Sequence, residues 1–90
     1  MPEELATRSL ILSRIQFIAS DILNQSDLAL TESTTASDVT GWDSLTHVQI
    51  VIGVEAAFGI RMTSTEVSQL ENVGSLVDIV EARQAKIAGG

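Results

Sequence analysis

Cysteine is absent from the 90 residues, and with it go disulfides, thiolate metal sites and cysteine nucleophiles. Any thiol chemistry must come from an attached group. Basic residues are scarce: 5 Lys and Arg stand against 12 Asp and Glu, for a formal net charge of −7. A surface of that sign repels phosphate backbones and anionic lipids and attracts basic protein patches, which argues against nucleic acid as a partner. Aromatic residues make up 3% of the chain while hydrophobic residues reach 44%. The apolar content is therefore nearly all Ile, Val, Leu and Ala, which suits thin helix-to-helix packing and argues against disorder. No apolar run approaches the length of a membrane span, and "MPEELATRSL" carries acids where a secretory signal carries positive charge. A cytoplasmic protein without membrane insertion is expected. The length allows one domain, residues 1–90 with a core over about 5–86, too small for a deep enzyme cleft with lids.

Four helical patterns fill that length. Ile11, Ile15, Ile18 and Ile22 recur at helical spacing and predict a first helix over Glu3–Asn24. Residues 24–43 are rich in Ser, Thr and Asp, with Leu28, Leu30 and Val39 as anchors, and form a long loop of the kind that often carries function. A second helix is predicted over Ser44–Phe58, with Asp43 as its N-cap and Gly59 as its stop. "MTSTEV" holds a capping box, Thr63 with Glu66, flanked by a staple of Met62 and Val67, and starts a short third helix over about 64–70. Asn72 caps a fourth helix from Val73 to about Lys86, with its stripe on Val73, Leu76, Val77 and Val80. The expected fold is all-α: a four-helix bundle with a long loop between helices one and two, a short third helix and a frayed tail at 87–90.

The second helix has two apolar faces. At about 100° per residue, His47, Val51, Val54 and Phe58 share one stripe with Ile50 beside it, while Leu45, Val48 and Ile52 fall roughly opposite. So small a bundle cannot easily bury both. The stripe ending in Phe58 is the expected core face; the other, edged by Gln49 and Glu55, is the expected contact surface. The competing arrangement folds loop residues 28–39 over Leu45, Val48 and Ile52.

Ser44 stands beside that second stripe. Asp43 fills the capping role, so Ser44 occupies the first turn with its hydroxyl free, at the helix end where a phosphate is stabilised. A hydrolase nucleophile does not fit. The nucleophile elbow needs glycines two residues before and after the serine, and here those positions are Trp42 and Thr46. The helix also turns His47 about 60° from Ser44, where a partly buried histidine bonded to a loop carbonyl is expected. Asp38 and Asp43 lack calcium-loop spacing and read as a solvated loop charge and a cap. No catalytic or metal-binding set is expected.

"GWDSLTHVQIVIGVEAAFGI", followed by "VSQLENVGSLVDIV", resembles the acyl carrier proteins and the wider phosphopantetheine-attachment domains over residues 10–83. The centre of the resemblance is Asp43-Ser44-Leu45, opening a helix that ends Glu55-Ala56-Ala57-Phe58-Gly59-Ile60. The resemblance implies that Ser44 receives 4'-phosphopantetheine from coenzyme A, delivered by a phosphopantetheinyl transferase that Asp43 assists. The arm's thiol then carries acyl or aminoacyl groups as thioesters. It further implies a monomeric, non-enzymatic carrier that docks acyl-loading and acyl-transfer enzymes through Leu45, Val48, Ile52 and Glu55. Fatty-acid carriers usually have several acids on this helix, whereas this one has Gln49 and Ala56 at such positions, and Trp42 replaces a small or aliphatic residue. Those departures point away from a housekeeping fatty-acid role and toward a dedicated carrier in a specialised pathway, with fatty-acid-like, polyketide and other biosynthetic chemistry all open. The alternative is an unmodified helical interaction module using the same Leu45, Val48 and Ile52 stripe. A sulfur carrier activated at Gly89-Gly90 would need a strand-rich fold that the helical patterns oppose.

Overall fold

The computed structural model describes the backbone of residues 3–89 and the side chains of residues 8–84. Helix α1 (Glu3–Leu23) leads into a long connection holding one 3-10 turn over Ala36–Asp38. Helices α2 (Ser44–Phe58), α3 (Ser64–Ser68) and α4 (Val73–Gly89) follow, and the described residues contain no strand. The expected all-α bundle is the one observed.

Helix ends follow from local chemistry. After α1, Asn24 takes a left-handed conformation (φ 56°), the Gln25 N–H donates to the Ser20 carbonyl at 3.0 Å and the Asn24 N–H to the Asp21 carbonyl at 3.3 Å. Asparagine tolerates that conformation better than most non-glycine residues. Gly59 (φ 66°) closes α2 in the same way, with the Ile60 N–H donating to the Glu55 carbonyl at 3.1 Å and Ile60 itself buried. Helix α3 is shorter than the expected 64–70. Helix α4 runs past Lys86 to Gly89, so the described part of the expected frayed tail 87–90 is helical, and Gly90 lies outside the described residues.

The core combines Ile11, Ile15 and Ala19 of α1, Ile50, Val51 and Val54 of α2, and Val73, Leu76, Val77 and Val80 of α4, with Leu30 and Val39 from the connection. Ala19 takes the place expected for Ile18. Ile18 and Ile22 are half-buried at the α1–α2 contact, where a Cβ on Gly53 would stand 2.8 Å from Ile18 Cγ2. Glycine lets the two helices approach there, and the α1 stripe turns accordingly.

The connection is held down rather than draped over α2. The Leu30 N–H donates to Gln16 Oε1 at 2.7 Å. The first free N–H groups of α4, on Val73 and Gly74, donate to the carbonyls of Thr34 and Glu32 at 2.8 and 2.7 Å. Asn72 caps the same helix as expected, its Oδ1 accepting from the Ser75 N–H at 2.9 Å. The Arg8 guanidinium adds ion pairs to Glu32, Asp78 and Glu81, tying α1, the connection and α4 together. Asp38, expected as a solvated charge, accepts the Thr35 N–H at 2.9 Å and so shapes the 3-10 turn.

Phe58 departs from expectation. It is half-buried, packed against the edge of the core rather than within it. As the last residue of α2 it reaches past the covered part of the bundle into a surface recess with Leu10, Arg14 and Phe17. Leu10 and Phe17 are themselves 71% and 72% exposed. Ile50→Ala, at a fully buried position, should therefore cost about 2–5 kcal/mol, and Phe58→Ala less, about 1–2 kcal/mol, below the range for a fully buried ring. Chemical denaturation of both variants checks this, and a larger loss at Phe58 would contradict the packing described.

Candidate functional site: the start of the second helix

Asp43 precedes α2 with an extended backbone. Its Oδ1 accepts from the N–H groups of Leu45 and Thr46, each at 3.0 Å. In return the Thr46 hydroxyl accepts the Asp43 N–H at 2.8 Å and donates to the Gly41 carbonyl at 2.8 Å. This is a reciprocal capping box with threonine where Glu or Gln is more usual. Hydrogen bonds from the Thr46 N–H, above all, and from the Leu45 N–H hold the Asp43 carboxyl below its ordinary pKa.

Ser44 is the first residue of α2 and is exposed. Its hydroxyl makes no hydrogen bond among the described residues. Since Asp43 already occupies the Leu45 and Thr46 amides, a phosphodiester on Ser44 would rest on its covalent bond and the helix dipole rather than on those N–H groups. The site fits a covalently held, singly charged phosphate group.

Leu45, Val48 and Ile52 are 67%, 47% and 57% exposed. The connection packs against the core and not over them, so the competing arrangement is not adopted. Glu55 behaves differently from its three expected companions: it is half-buried, and its Oε2 accepts the Met62 N–H at 2.7 Å, tying the end of α2 to the segment before α3. Part of its charge is already committed within the protein.

A groove of about 730 Å³ opens beside Ser44 between α2 and α3. Its walls are largely apolar, from Val48, Val51 and Ile52 on one side and Met62, Val67 and Leu70 on the other, with Trp42 and His47 at its lining. The Trp42 indole N–H donates to His47 Nδ1 at 3.1 Å. That bond leaves Nε2 to donate to the Val67 carbonyl at 3.3 Å. His47 is half-buried as expected, but its carbonyl partner lies in α3 instead of a loop, and it does not bond to Ser44. The sequence carries no sign of the groove: the Met62–Val67 staple marks a helix start, and nothing around Trp42 points to its histidine partner.

The arrangement is a small all-α scaffold with a capped, exposed serine beside an apolar groove. The family model described as "Phosphopantetheine attachment site" matches residues 13–80, a stretch that includes Ser44. The chain is 29% identical over 79 residues to the acyl carrier protein of Thermotoga maritima, covering 88% of this chain and 98% of that one. It is 28% identical over 75 residues to the acyl carrier protein of Guillardia theta, covering 83% and 93%. The solution structure of the holo acyl carrier protein from Geobacter metallireducens superposes with a TM-score of 0.80 at 29% identity, over 87% of this chain and 90% of that one. The chain belongs to the phosphopantetheine-attachment family. It is an acyl carrier rather than an enzyme, and its cofactor is covalently attached phosphopantetheine.

The Asp43 cap has a pH signature. Its pKa in the folded chain lies below the ordinary value of 3.8, so the stability it contributes is complete above that value and is lost as pH falls through the lower folded one. Asparagine caps about as well but does not titrate. Asp43→Asn should therefore match wild type near neutral pH and lose stability less steeply below pH about 4, as followed by urea unfolding at a series of pH values. Equal slopes for both proteins would show that the cap does not carry this dependence.

Proposed function

We propose that Ser44 is the residue that carries the 4'-phosphopantetheine arm, and that the protein presents acyl or aminoacyl groups on it to the partner enzymes of a fatty-acid-like, polyketide or other specialised biosynthetic pathway in the cytoplasm. The observation behind this reading is the exposed, unbonded Ser44 hydroxyl at the capped start of α2, inside the stretch that matches the family. In the attachment reaction the Ser44 oxygen forms a bond to the phosphorus of coenzyme A as the pyrophosphate linkage breaks, adenosine bisphosphate leaves, and the serine proton passes to a base of the transferase. Asp43 serves this step by fixing the helix start that points Ser44 outward. The arm supplies a thiol, which the chain itself lacks.

Partner enzymes dock on Leu45, Val48 and Ile52, which together form an exposed apolar face next to the arm. Full burial of each such side chain contributes about 1.5–3 kcal/mol, against about 1 kcal/mol or less for an exposed ion pair. Glu55, already bonded to the Met62 N–H, is a weaker candidate for that pair than an unbonded acid would be. Apolar contact therefore dominates affinity, while the net charge of −7 speeds encounter with basic partners.

Two measurements follow. Incubation with a phosphopantetheinyl transferase and coenzyme A should add the mass of one phosphopantetheinyl group to wild type and none to Ser44→Ala, which should keep its helical circular dichroism. Modification of Ser44→Ala would sink the assignment. Ile52→Ala should weaken binding to a cognate loading enzyme more than Glu55→Gln does, with modest change between low and high salt. A steep salt dependence with Glu55→Gln as the more damaging change would make docking electrostatic.

A further inference from the structure

Two cavities meet near the start of α2. The outer one is the groove of about 730 Å³ beside Ser44. The inner one, about 40 Å³, lies toward the core and reaches Ile50, Val73 and Leu76. Ala36, Trp42, His47, Val51 and Leu70 line both, so together they form the wall between them. Within that wall a side-chain hydrogen bond joins Trp42 to His47, their ring centroids 6.3 Å apart. His47 continues the tie to the Val67 carbonyl, which braces the wall from the connection, through α2, to α3.

The chemistry of the groove selects what can lie in it. Its walls are apolar, and the charged side chains among its lining residues, Asp43 and Glu55, are both acids. An uncharged aliphatic chain is favoured there and a chain ending in a carboxylate is repelled. The inner cavity has room for little more than a water molecule. A chain passing inward would have to displace the indole and leave His47 Nδ1 without its donor in a half-buried, apolar setting, which is unfavourable.

We propose, resting on the reading that Ser44 carries the arm, that Trp42 and His47 are specificity-determining residues. Their hydrogen-bonded pair is the floor that stops an uncharged aliphatic acyl chain in the outer groove and keeps it out of the core. The cargo this selects ends at the indole and does not thread on between α2 and α4.

The test uses butanoyl-, hexanoyl-, octanoyl- and decanoyl-coenzyme A as donors for a transferase, with intact mass confirming one acyl arm per chain. Protection of each thioester from hydroxylamine is then measured in wild type, Trp42→Val and His47→Ala, the second variant serving if the first does not fold. In wild type, protection should rise by up to about fourfold per buried methylene and then level off. Emission from Trp42, the single tryptophan, should shift until the same length and then stay constant. Both variants should go on gaining protection, with the decanoyl form at least about tenfold better protected than in wild type, a little under two methylenes' worth. The proposal is overturned by variants that follow wild type within about twofold at every length, by wild-type protection that climbs steadily through decanoyl, or by no wild-type protection at any length. Failure of wild type to take up any acyl arm would instead overturn the carrier assignment of Ser44, and this proposal with it.

Discussion

The reciprocal bond between Asp43 and Thr46 fixes where α2 begins, and most of what the protein presents depends on that one position. The Asp43 carboxylate takes the Leu45 and Thr46 amides, the Thr46 hydroxyl takes the Asp43 amide, and the same hydroxyl reaches back to the Gly41 carbonyl. A helix advances about 100° per residue. Ser44, exposed at the start, and Ile50, Val51 and Val54, buried further along, are therefore held in fixed angular relation on one helix. Capping, exposure of the serine and burial of the opposite face are consequences of a single register.

That register creates an imbalance which the rest of the bundle accommodates. Helix α2 is apolar on both sides, and the fold covers only one: α1 and α4 supply the core, while α3 stands off to leave a groove rather than a sealed contact. Glu55 and His47 hold the groove open at a defined width, one by accepting the Met62 amide and the other by facing the Val67 carbonyl. Polar side chains thus position an apolar surface. Leu45 faces outward beside the groove, Val48 and Ile52 are exposed and also form its rim, and Val51 and Val67 line it further in.

Local signals made much of this legible in the sequence. Asp43, Gly59, Thr63 with Glu66, and Asn72 mark helix ends through side-chain or backbone chemistry confined to a few neighbouring residues, and each acts in the structure as its residue type dictates. The outward direction of Leu45, Val48 and Ile52 follows from periodicity alone. What periodicity could not supply was the distance between helices. Gly53 admits Ile18 and so brings Ala19 into the core. Phe58 lies on the core stripe of the wheel but at the end of the helix, where it is only half-buried at the edge of the core. The Trp42–His47 bond joins a loop residue to a helix residue through side-chain directions that no one-dimensional pattern encodes.

Locating the modified atom tests the central claim most directly. After loading with a transferase and coenzyme A, trypsin should release the peptide between Arg14 and Arg61, which contains Ser20, Ser26, Ser33, Ser37 and Ser44 together. Electron-transfer fragmentation of that peptide should place the whole phosphopantetheinyl mass on Ser44, in fragments that begin or end between Asp43 and Leu45. The same mass on any other serine would mean that the capped start of α2 is not what the transferase reads.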